Sequence, residues 1–404
     1  METVERLTRQ EALLTKKMWS EIFYEDSDQF TDYYYEEKMG HNIGYGLKED
    51  GALRSMLFLT PYTGAVYAPG RDGERFRDVS LSYIVGVGTG QAYRRRGYMG
   101  RLLRAALMDL HRGRQPFTFL MPADPAIYTP YQFRYIYDRP AFCVSRRERQ
   151  EISGRSDAPA ARGGGEDAPD RKIRVRAMEE GEAEQLAAYA NQELERRFQL
   201  FLRRDGAYYK RQQKESRAMN GDVYLWKEAG EIAGFYLYAK EGGVEEIQEA
   251  MVREDLTGKE LLHISQKVRP ILMGRITNVC SMLSLLRLRG SVRAEEITLC
   301  FRLQDALICE HNATFLWTVG KKESTITVSD EEERAEARIE IGALTEFVFG
   351  RADCRTCFFM EDGGEALCGS GKQQAKRACA AEPDFFERLR QIEPLTRLCI
   401  NEIV

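Results

Sequence analysis

The most regular pattern of hydrophobic and polar positions in the chain lies between Leu81 and Leu107. A β-type run from Tyr83 to Val87 is followed by a turn rich in glycine and arginine. Beyond this turn, apolar residues recur at spacings of three and four, which is typical of one face of an amphipathic helix. These residues are Met99, Leu102, Leu103, Ala106, Leu107 and Leu110. The pattern predicts a buried strand, a turn, and a helix over residues 98 to 112 that packs on a sheet.

The other patterns in the first 145 residues predict further helices and strands. Residues 1 to 39 suggest two helices around an acidic, aromatic connection, and residues 42 to 68 suggest a pair of strands. The apolar run 116 to 121 fits a buried strand parallel to the first, while residues 135–137 and 141–144 look like closing strands. This order predicts a mixed sheet with a ligand site where its parallel strands separate.

Changes in composition divide the rest of the chain. Residues 146–172 are rich in Gly, Ala, Pro and charge, which indicates a linker or exposed loop. Residues 173–290 repeat the layout of the first part without its arginine turn, although an unrelated α+β domain would give a similar pattern. Residues 291–404 contain short strands and a strand followed by a short helix. We therefore predict an α+β protein with domains at 1–145, 173–290 and 291–404.

Composition and charge narrow the possible functions. The 404 residues are 43% hydrophobic, so the chain can bury large cores. A net charge of -4, from 59 basic and 63 acidic residues, argues against nucleic acid as the main partner. The first residues lack the apolar segment of a signal peptide, and no window approaches ~18 consecutive apolar residues. We predict a cytoplasmic protein with no membrane partner.

The cysteines and histidines give no strong sign of a metal site. In a reducing compartment the nine cysteines would be free thiols. Cys354-x-x-Cys357 is followed by Cys368 and Cys379, but the later two lack the paired spacing of a zinc ribbon. The four histidines lie outside the motifs, and we interpret them as structural. We predict that no metal is bound.

The turn between the strand and the helix has the chemistry of a pyrophosphate site. It contains Gly88-Thr89-Gly90 and Arg94-Arg95-Arg96-Gly97. Glycine permits close backbone approach, and a helix N-terminus offers unpaired N–H groups and the positive end of its dipole. The turn is neither Gly-x-Gly-x-x-Gly nor a Walker A loop. The residues alone therefore predict a phosphate-bearing ligand, with an ordinary basic surface turn as the alternative.

The order of strand, short loop and Arg94-x-x-Gly97 resembles the acetyl-CoA motif of the GNAT N-acetyltransferases, Arg/Gln-x-x-Gly-x-Gly/Ala. Arg94 and Gly97 match this motif, whereas Met99 occupies its last position and Gly100 follows one place later. The resemblance implies acetyl-CoA as co-substrate, bound by the end of the strand and by the turn. The implied contact residues are Val85, Val87, Thr89, Arg94, Arg95, Gly97 and Tyr98.

The whole chain resembles the Eis family of bacterial N-acetyltransferases. In that family two tandem GNAT folds precede a sterol-carrier-protein-like domain, and only the first fold carries the cofactor motif. The family's second motif, often Tyr-Gly-x-Phe-Gly-Tyr, reads Tyr128-Thr-Pro-Tyr-Gln-Phe here, so the tyrosine is kept and the glycines are lost. The resemblance implies a homo-hexamer that acetylates several kinds of primary amine, including those of aminoglycosides or lysine.

Acetyl transfer from a thioester to an amine requires a carbonyl polariser, an acid and a base. Backbone N–H groups between Val87 and Thr89 would serve as the polariser. A tyrosine, with an ordinary pKa of ~10 against ~8.5 for a thiol, would protonate the departing sulfur. Tyr128 is the general acid by resemblance, and the residues alone favour it only slightly over Tyr131.

The base and the substrate contacts are predicted near the two ends of the chain. The resemblance assigns the role of general base to the C-terminal carboxylate of Val404, with Glu402 as the side-chain alternative and a candidate substrate contact. Asp26 is a further candidate contact, because a carboxylate among aromatic residues suits an amine. Together these features predict direct acetyl transfer to a primary amine of a small molecule. The alternatives are a module that binds acetyl-CoA or lipid without turnover, and a protein lysine acetyltransferase.

Overall fold

The structure is a computed structural model that describes residues 1–69, 75–144, 173–241, 243–256, 262–329, 335–360 and 382–401. Its α-helices, α1 to α11 in chain order, are Arg9–Leu14, Lys16–Ile22, Asp28–Tyr33, Tyr98–Arg112, Pro125–Tyr128, Ala183–Arg197, Gly206–Ala218, Val279–Leu283, Ile341–Val348, Cys354–Cys357 and Glu382–Arg390. Its strands, β1 to β20, are Glu2–Leu7, Ile43–Glu49, Ala52–Tyr67, Phe76–Thr89, Phe117–Leu120, Arg134–Val144, Ile173–Ala177, Leu200–Leu202, Asp222–Glu228, Glu231–Glu241, Val244–Val252, Leu262–Ile276, Arg287–Leu288, Glu296–Gln304, Thr314–Gly320, Ser324–Ser329, Ala337–Glu340, Phe359–Met360, Ile392–Glu393 and Leu398–Cys399. The predicted α+β class is confirmed.

The central sheet of the first domain has the strand order β1-β2-β3-β4-β5-β12-β6. Strands β4 and β5 are parallel, as predicted, with Ser82 opposite Thr118 and Tyr83 opposite Phe119. Helix α4 covers residues 98 to 112, also as predicted, and packs one apolar face on the sheet. The buried residues of this face are Leu102, Leu103, Ala106, Leu107 and Leu110.

The prediction of helices from the first residue onward is wrong at the start of the chain. Glu2–Leu7 forms strand β1, antiparallel to β2, with Glu2 opposite Glu49 and Leu7 opposite Gly44. This strand lies at the edge of the sheet, and only Val4 and Leu7 are even partly buried. Val4 and Leu7 are three residues apart, a spacing that also occurs on one face of a helix. An exposed edge strand does not show the regular alternation of a half-buried strand, so the sequence pattern indicated a helix. Three short helices, α1 to α3, follow it.

Later parts of the chain complete this sheet. Strand β12 lies between β5 and β6 and is antiparallel to both. Strand β8 pairs with the second half of β3, and β20 pairs with β8. Strand β6 is continuous from Arg134 to Val144, where the sequence suggested two strands. The domain boundaries stay a prediction, but the first sheet depends on strands from beyond residue 172.

Apart from the two-stranded pair β13-β19, two further sheets belong to the second and third parts of the chain. Strands β11-β10-β9-β7 form the second, which packs against α6 and α7 around Leu186, Tyr209 and Phe235. Strands β16-β15-β14-β17-β18 form the third, in which β14 and β17 are parallel. A second GNAT-like fold and a sterol-carrier-like domain stay predictions for these two parts.

Candidate active site

Strands β4 and β5 separate at the centre of the first sheet. Their parallel pairing is limited to Ser82–Thr118 and Tyr83–Phe119, yet β4 continues as far as Thr89. From Ile84 onward one edge of β4 is therefore not paired with β5. This is the carboxyl end of both strands, where open sheets usually bind ligands.

A β-bulge lies on β4 at this separation. Phe58 of β3 is opposite Val85, and Met56 is opposite Gly88, so Gly86 and Val87 together face a single residue. Gly86 has a φ of 59°. A bulge of this kind turns backbone N–H groups out of the ladder and bends the strand. The bulge therefore leaves backbone groups outside the β3–β4 ladder at the point where β4 separates from β5.

Gly86 is required by space as well as by conformation. A Cβ at this position would lie 2.4 Å from Cζ3 of Trp19 and 3.1 Å from Cδ2 of Phe58. The sequence analysis placed the donors between Val87 and Thr89 and did not single out Gly86. A glycine inside an apolar strand is a known sign of a bulge and could have identified it.

Helix α4 begins without a side-chain cap. Gly97 precedes it in the left-handed region, with a φ of 76°, and no side chain accepts a hydrogen bond from the first turn. The N–H of Arg101 is the first to bond back, to the Gly97 carbonyl at 3.2 Å. The N–H groups of Tyr98, Met99 and Gly100 therefore have no partner within the helix. Unpaired N–H groups at a helix start can bind an anion, and a pyrophosphate contact at this turn stays a prediction.

The arginines of the turn differ in their contacts. Arg94 Nε donates to the Thr89 carbonyl at 3.3 Å, and Arg96 lies 3.6 Å from Glu49. Arg94 and Arg95 are exposed, and neither forms an ion pair with any residue that the structure describes. These two side chains provide positive charge next to the open end of α4.

Two predicted cofactor contacts have side chains that are engaged within the protein. The Tyr98 side chain is 2% exposed, and its hydroxyl donates to Glu2 at 2.8 Å. The Thr89 hydroxyl is 2.8 Å from that of Ser55. Both residues can offer a ligand their backbone groups, but the Tyr98 ring supports the core beneath α4. Val85 is buried on one face of the sheet, and Val87 packs against the core on the other.

Tyr128 ends helix α5 near the separated strands. Its side chain is 8% exposed, its ring packs 5.9 Å from that of Phe133, and its hydroxyl bonds to none of the described residues. Burial raises the pKa of Tyr128 to about 12. The hydroxyl is thus fully protonated at neutral pH, which is the state that a proton donor requires.

Tyr131 lies beside the first turn of α4. A Cβ on Gly100 would approach the Tyr131 hydroxyl to 2.7 Å, so a larger residue here would push the end of the ring aside. The sequence noted Gly100 only as a displaced match to the cofactor motif. Its close contact with Tyr131 gives it a packing role as well.

Asp26 is connected to the bulge by Trp19, whose ring lies over Gly86. The indole Nε1 of Trp19 donates to Asp26 Oδ2 at 2.9 Å. Trp19 is 3% exposed and stacks on Tyr34 with ring centroids 4.7 Å apart. Asp26, the predicted contact for the substrate amine, therefore also holds the Trp19 ring that covers Gly86. The sequence analysis did not identify Trp19.

The last described residues, 398–401, lie beside the same sheet. Asn401, the last described residue, donates from Nδ2 to the Gln248 carbonyl at 2.7 Å. Strand β20 just before it pairs with β8, which is itself joined to β3. The predicted residues Glu402 and Val404 lie outside the described residues.

A cavity of about 570 Å³ opens farther along β3 and β4. Its cationic lining residues are Lys38, Arg203, Arg204 and Arg211. It reaches β4 at Leu81, and the four residues from there to Val85 span ~13 Å of strand. On β3 the cavity reaches Thr60, which is opposite Tyr83 and only two residues, ~7 Å of strand, from the level of Val85, so a long substrate bound at the bulge could extend into it.

Among the residues that the structure describes, no three His, Cys, Asp or Glu side chains converge as a metal site. Cys354 and Cys357 are buried, and Cys368 and Cys379 fall within the undescribed range 361–381. No described helix is long and apolar enough to cross a membrane.

The N-terminal part of the chain matches a known family. Residues 3–136 match the family model for an acetyltransferase (GNAT) domain. The matched range contains the bulge, the arginine turn and Tyr128. A search of the curated proteins found no match.

Solved structures share the fold over most or all of the chain. The GCN5-related N-acetyltransferase of Anabaena variabilis aligns over 100% of both chains with a TM-score of 0.68 and 13% identity. Eis1 of Mycobacterium abscessus aligns over 100% of both chains with a TM-score of 0.62 and 14% identity. A probable N-acyltransferase of Enterococcus faecalis covers 88% of this chain and 92% of its own, with a TM-score of 0.64 and 14% identity. At these identities the likeness concerns the fold alone.

Proposed function

We propose that this protein transfers the acetyl group of acetyl-CoA directly to a primary amine of a small molecule. The observation that carries the proposal is the bulge at Gly86, which lies where β4 leaves β5 and close in sequence to the uncapped start of α4. A thioester carbonyl and a pyrophosphate need these two features, one at each end of the cofactor's arm. The match of residues 3–136 to an acetyltransferase domain supports the same conclusion.

The described residues fit acetyl-CoA as co-substrate. The free N–H groups at the start of α4 suit the pyrophosphate, and Arg94 and Arg95 add charge that no described carboxylate neutralises. The N–H groups of the bulge suit the thioester oxygen. Donors fixed in advance in this way stabilise the negative charge that develops on the oxygen during the reaction.

The transfer is a single displacement at the thioester carbon. The amine nitrogen attacks this carbon, so a C–N bond forms and negative charge collects on the oxygen at the bulge. As the carbonyl reforms, the C–S bond breaks and Tyr128 donates its proton to the departing thiolate. The proton lost by the amine passes to a base. The family resemblance assigns that role to the carboxylate of Val404, with Glu402 as the rival.

The acceptor is proposed only as a class. Aminoglycosides and lysine amines are candidates by resemblance to the Eis family. The cavity along β3 and β4 is lined by Lys38, Arg203, Arg204 and Arg211, of which the first three are paired with carboxylates. Neutral and acidic amines should therefore be tested beside cationic ones. A homo-hexamer, a second GNAT fold and a sterol-carrier-like domain are part of the same proposal, and sedimentation velocity tests the oligomer.

Release of CoA with a panel of primary amines tests the function. The panel contains aminoglycosides, small neutral and acidic amines, and a lysine peptide, and mass spectrometry identifies the acetylated product. We expect release in step with acetylation of at least one small amine. Binding of acetyl-CoA without release would favour the binding module, and acetylation of the peptide alone would favour a protein acetyltransferase.

Two variants test the assigned roles once an active amine is found. Tyr128→Phe removes the proposed acid, and Tyr131→Phe is its matched control three residues away. A chain extended beyond Val404 moves the terminal carboxylate. We expect activity to fall in Tyr128→Phe and in the extended chain and to persist in Tyr131→Phe. Full activity in Tyr128→Phe and in the extended chain would refute the roles assigned to Tyr128 and to the carboxylate of Val404.

A further inference from the structure

The turn that carries Tyr128 is held by an arginine from a distant part of the chain. Arg275, on β12, donates from Nε to the Tyr131 carbonyl at 2.9 Å. Its Nη2 donates to Asp305 Oδ1 at 2.5 Å, and its Nη1 donates to the Ile276 carbonyl at 3.2 Å. The side chains of Arg275 and Asp305 are both 0% exposed. One buried guanidinium therefore joins the tyrosine turn to the C-terminal part of the chain.

Asp305 is the centre of this arrangement. It accepts hydrogen bonds from the N–H groups of Leu307 at 2.8 Å and Ile308 at 3.2 Å. Its other oxygen is 2.8 Å from Nδ1 of His311, which must carry the proton because an ionised carboxylate only accepts. Burial alone would raise the pKa of Asp305, but His311 and Arg275 outweigh it and lower this pKa to about 2. Asp305 is thus a fixed negative charge at neutral pH.

The segment around Asp305 is docked on helix α4. Leu307 and Ile308 belong to the apolar core beneath this helix, where Ile308 is fully buried. Arg104 of α4 donates to the Ala306 carbonyl at 3.2 Å. The His311 ring meets that of His111 edge to face, with centroids 5.0 Å apart. Asp305 is therefore fixed relative to the helix whose first turn is proposed to bind the pyrophosphate.

The other hydrogen bonds of the tyrosine turn are local. The Phe133 N–H donates to the Tyr128 carbonyl at 3.3 Å, and the Thr129 hydroxyl donates to the Pro125 carbonyl at 2.8 Å. Arg134 also reaches the Thr129 carbonyl, at 3.3 Å. All of these partners lie within five residues of one another in sequence. These local hydrogen bonds preserve the shape of the turn, while its position relative to α4 depends on the packing of the Tyr131 ring against Gly100 and on the hydrogen bond from Arg275.

We propose that Arg275, held by Asp305, is the positioning residue that sets Tyr128 against the cofactor end of α4. This inference rests on the proposed function, because it assumes that Tyr128 protonates the leaving sulfur. The C-terminal part of the chain then controls the chemical step through Arg275 without touching a substrate. Since misplacement by about 1 Å can cost on the order of 100-fold in rate, loss of the anchor acts on kcat.

Three variants separate positioning from folding. The double variant Arg275→Met/Asp305→Leu replaces the buried ion pair with apolar side chains of similar size, which buried pairs often tolerate. Arg275→Lys keeps a positive charge for Asp305 but lacks the planar fork that also reaches Tyr131. Leu299→Ala opens a cavity in β14, six residues before Asp305, and controls for general destabilisation. All are assayed well below their melting temperatures.

The kinetic measurement is the rate of CoA release with a saturating amine. We expect kcat to fall by about tenfold or more in the double variant and in Arg275→Lys, while KM for acetyl-CoA stays within about threefold of wild type. Leu299→Ala should keep its kcat. Equal losses of kcat in Leu299→Ala and the double variant, or no loss in either, would overturn the proposal.

Hydrogen exchange gives a second measurement that does not depend on turnover. Peptides spanning residues 125–134 should exchange about tenfold faster in the double variant, because it lacks the hydrogen bond from Arg275 to the Tyr131 carbonyl. Their exchange rate in Leu299→Ala should equal that of wild type. Unchanged exchange in the double variant would refute the positioning role. If the wild type acetylated no amine, the proposed function would fail, and the exchange result would still decide whether Arg275 holds the turn.

Discussion

The substitution Gly86→Ala tests whether the bulge is built around a glycine. The new Cβ would meet Cζ3 of Trp19 at 2.4 Å, a distance at which one of the two groups must move. Trp19 cannot swing aside easily, because it is 3% exposed, stacks on Tyr34 and donates to Asp26. Any relief of the contact therefore disturbs the wall of the cleft.

The magnitude has two parts. A non-glycine residue in the left-handed region costs about 1–2 kcal/mol, and overpacking a filled core costs about 1–3 kcal/mol. We expect Gly86→Ala to lose about 2–5 kcal/mol of unfolding free energy as the sum of these two effects. Gly51→Ala is the matched control, because Gly51 has a φ of 79° and nothing within 4 Å of its Cβ position. It should show the conformational part alone.

Urea denaturation followed by circular dichroism, with CoA release measured in parallel, decides the outcome. Gly86→Ala should unfold at lower urea than Gly51→Ala. Relief of the clash should also move the N–H donors of the bulge out of line, so kcat should fall by about 100- to 1,000-fold, as when an oxyanion donor is lost. Gly51→Ala should keep its kcat. Equal stability in the two variants would refute the packing argument. A normal kcat in Gly86→Ala would refute the role of the bulge in catalysis.

Three other predictions concern the site and its supports. Tyr128→Phe should lower kcat by about 100-fold or more with little change in KM, and because the pKa of Tyr128 is about 12, ionisation of this residue should not reduce the wild-type rate up to pH ~10. Arg94→Ala should raise KM for acetyl-CoA by about tenfold, and added salt should weaken the binding of wild type more than that of the variant. Burial lowers the pKa of His311 below its ordinary ~6.5. As pH drops below 6.5, the unfolded chain binds a proton at His311 that the folded chain does not bind, so the free energy of unfolding should fall. The pKa of Asp305 is about 2 in the folded chain and ~3.9 in the unfolded chain, so stability should fall further as pH drops from 4 towards 2. Urea midpoints of wild type and His311→Asn, measured as pH drops below 6.5, test the effect of His311.

Local patterns were sufficient to predict the parts of the site that are continuous in sequence. The strand ending at Thr89, the turn and helix α4 follow from a change of period and from the residues of the turn. Tyr98 shows the limit of this reasoning. Its place at the start of a helix was predicted correctly, but the direction of its side chain depends on Glu2 and Glu49. The strand of Glu2 was not predicted, and the pairing that brings Glu49 beside it is between distant parts of the chain.

Features made by distant parts of the chain could not be predicted in this way. The insertion of β12 between β5 and β6 brings Arg275 to the tyrosine turn, and Asp305 meets it from a segment 30 residues farther along. Each residue looks ordinary in sequence, because its role arises from pairing across the fold. Gly86 is an intermediate case. A glycine inside an apolar strand can be recognised in the sequence, but the Trp19 ring that packs against it comes from a distant part of the chain and could not be predicted.

Hydrogen exchange with and without acetyl-CoA tests the central claim most directly, because it locates the cofactor without requiring a known amine. We predict slower exchange in peptides that cover residues 84–90 and 97–101, by about tenfold or more at saturation, and little change in the second and third sheets. Protection confined to the cationic cavity or to the C-terminal sheet would contradict the assignment of the cleft between β4 and β5 as the site of acetyl transfer.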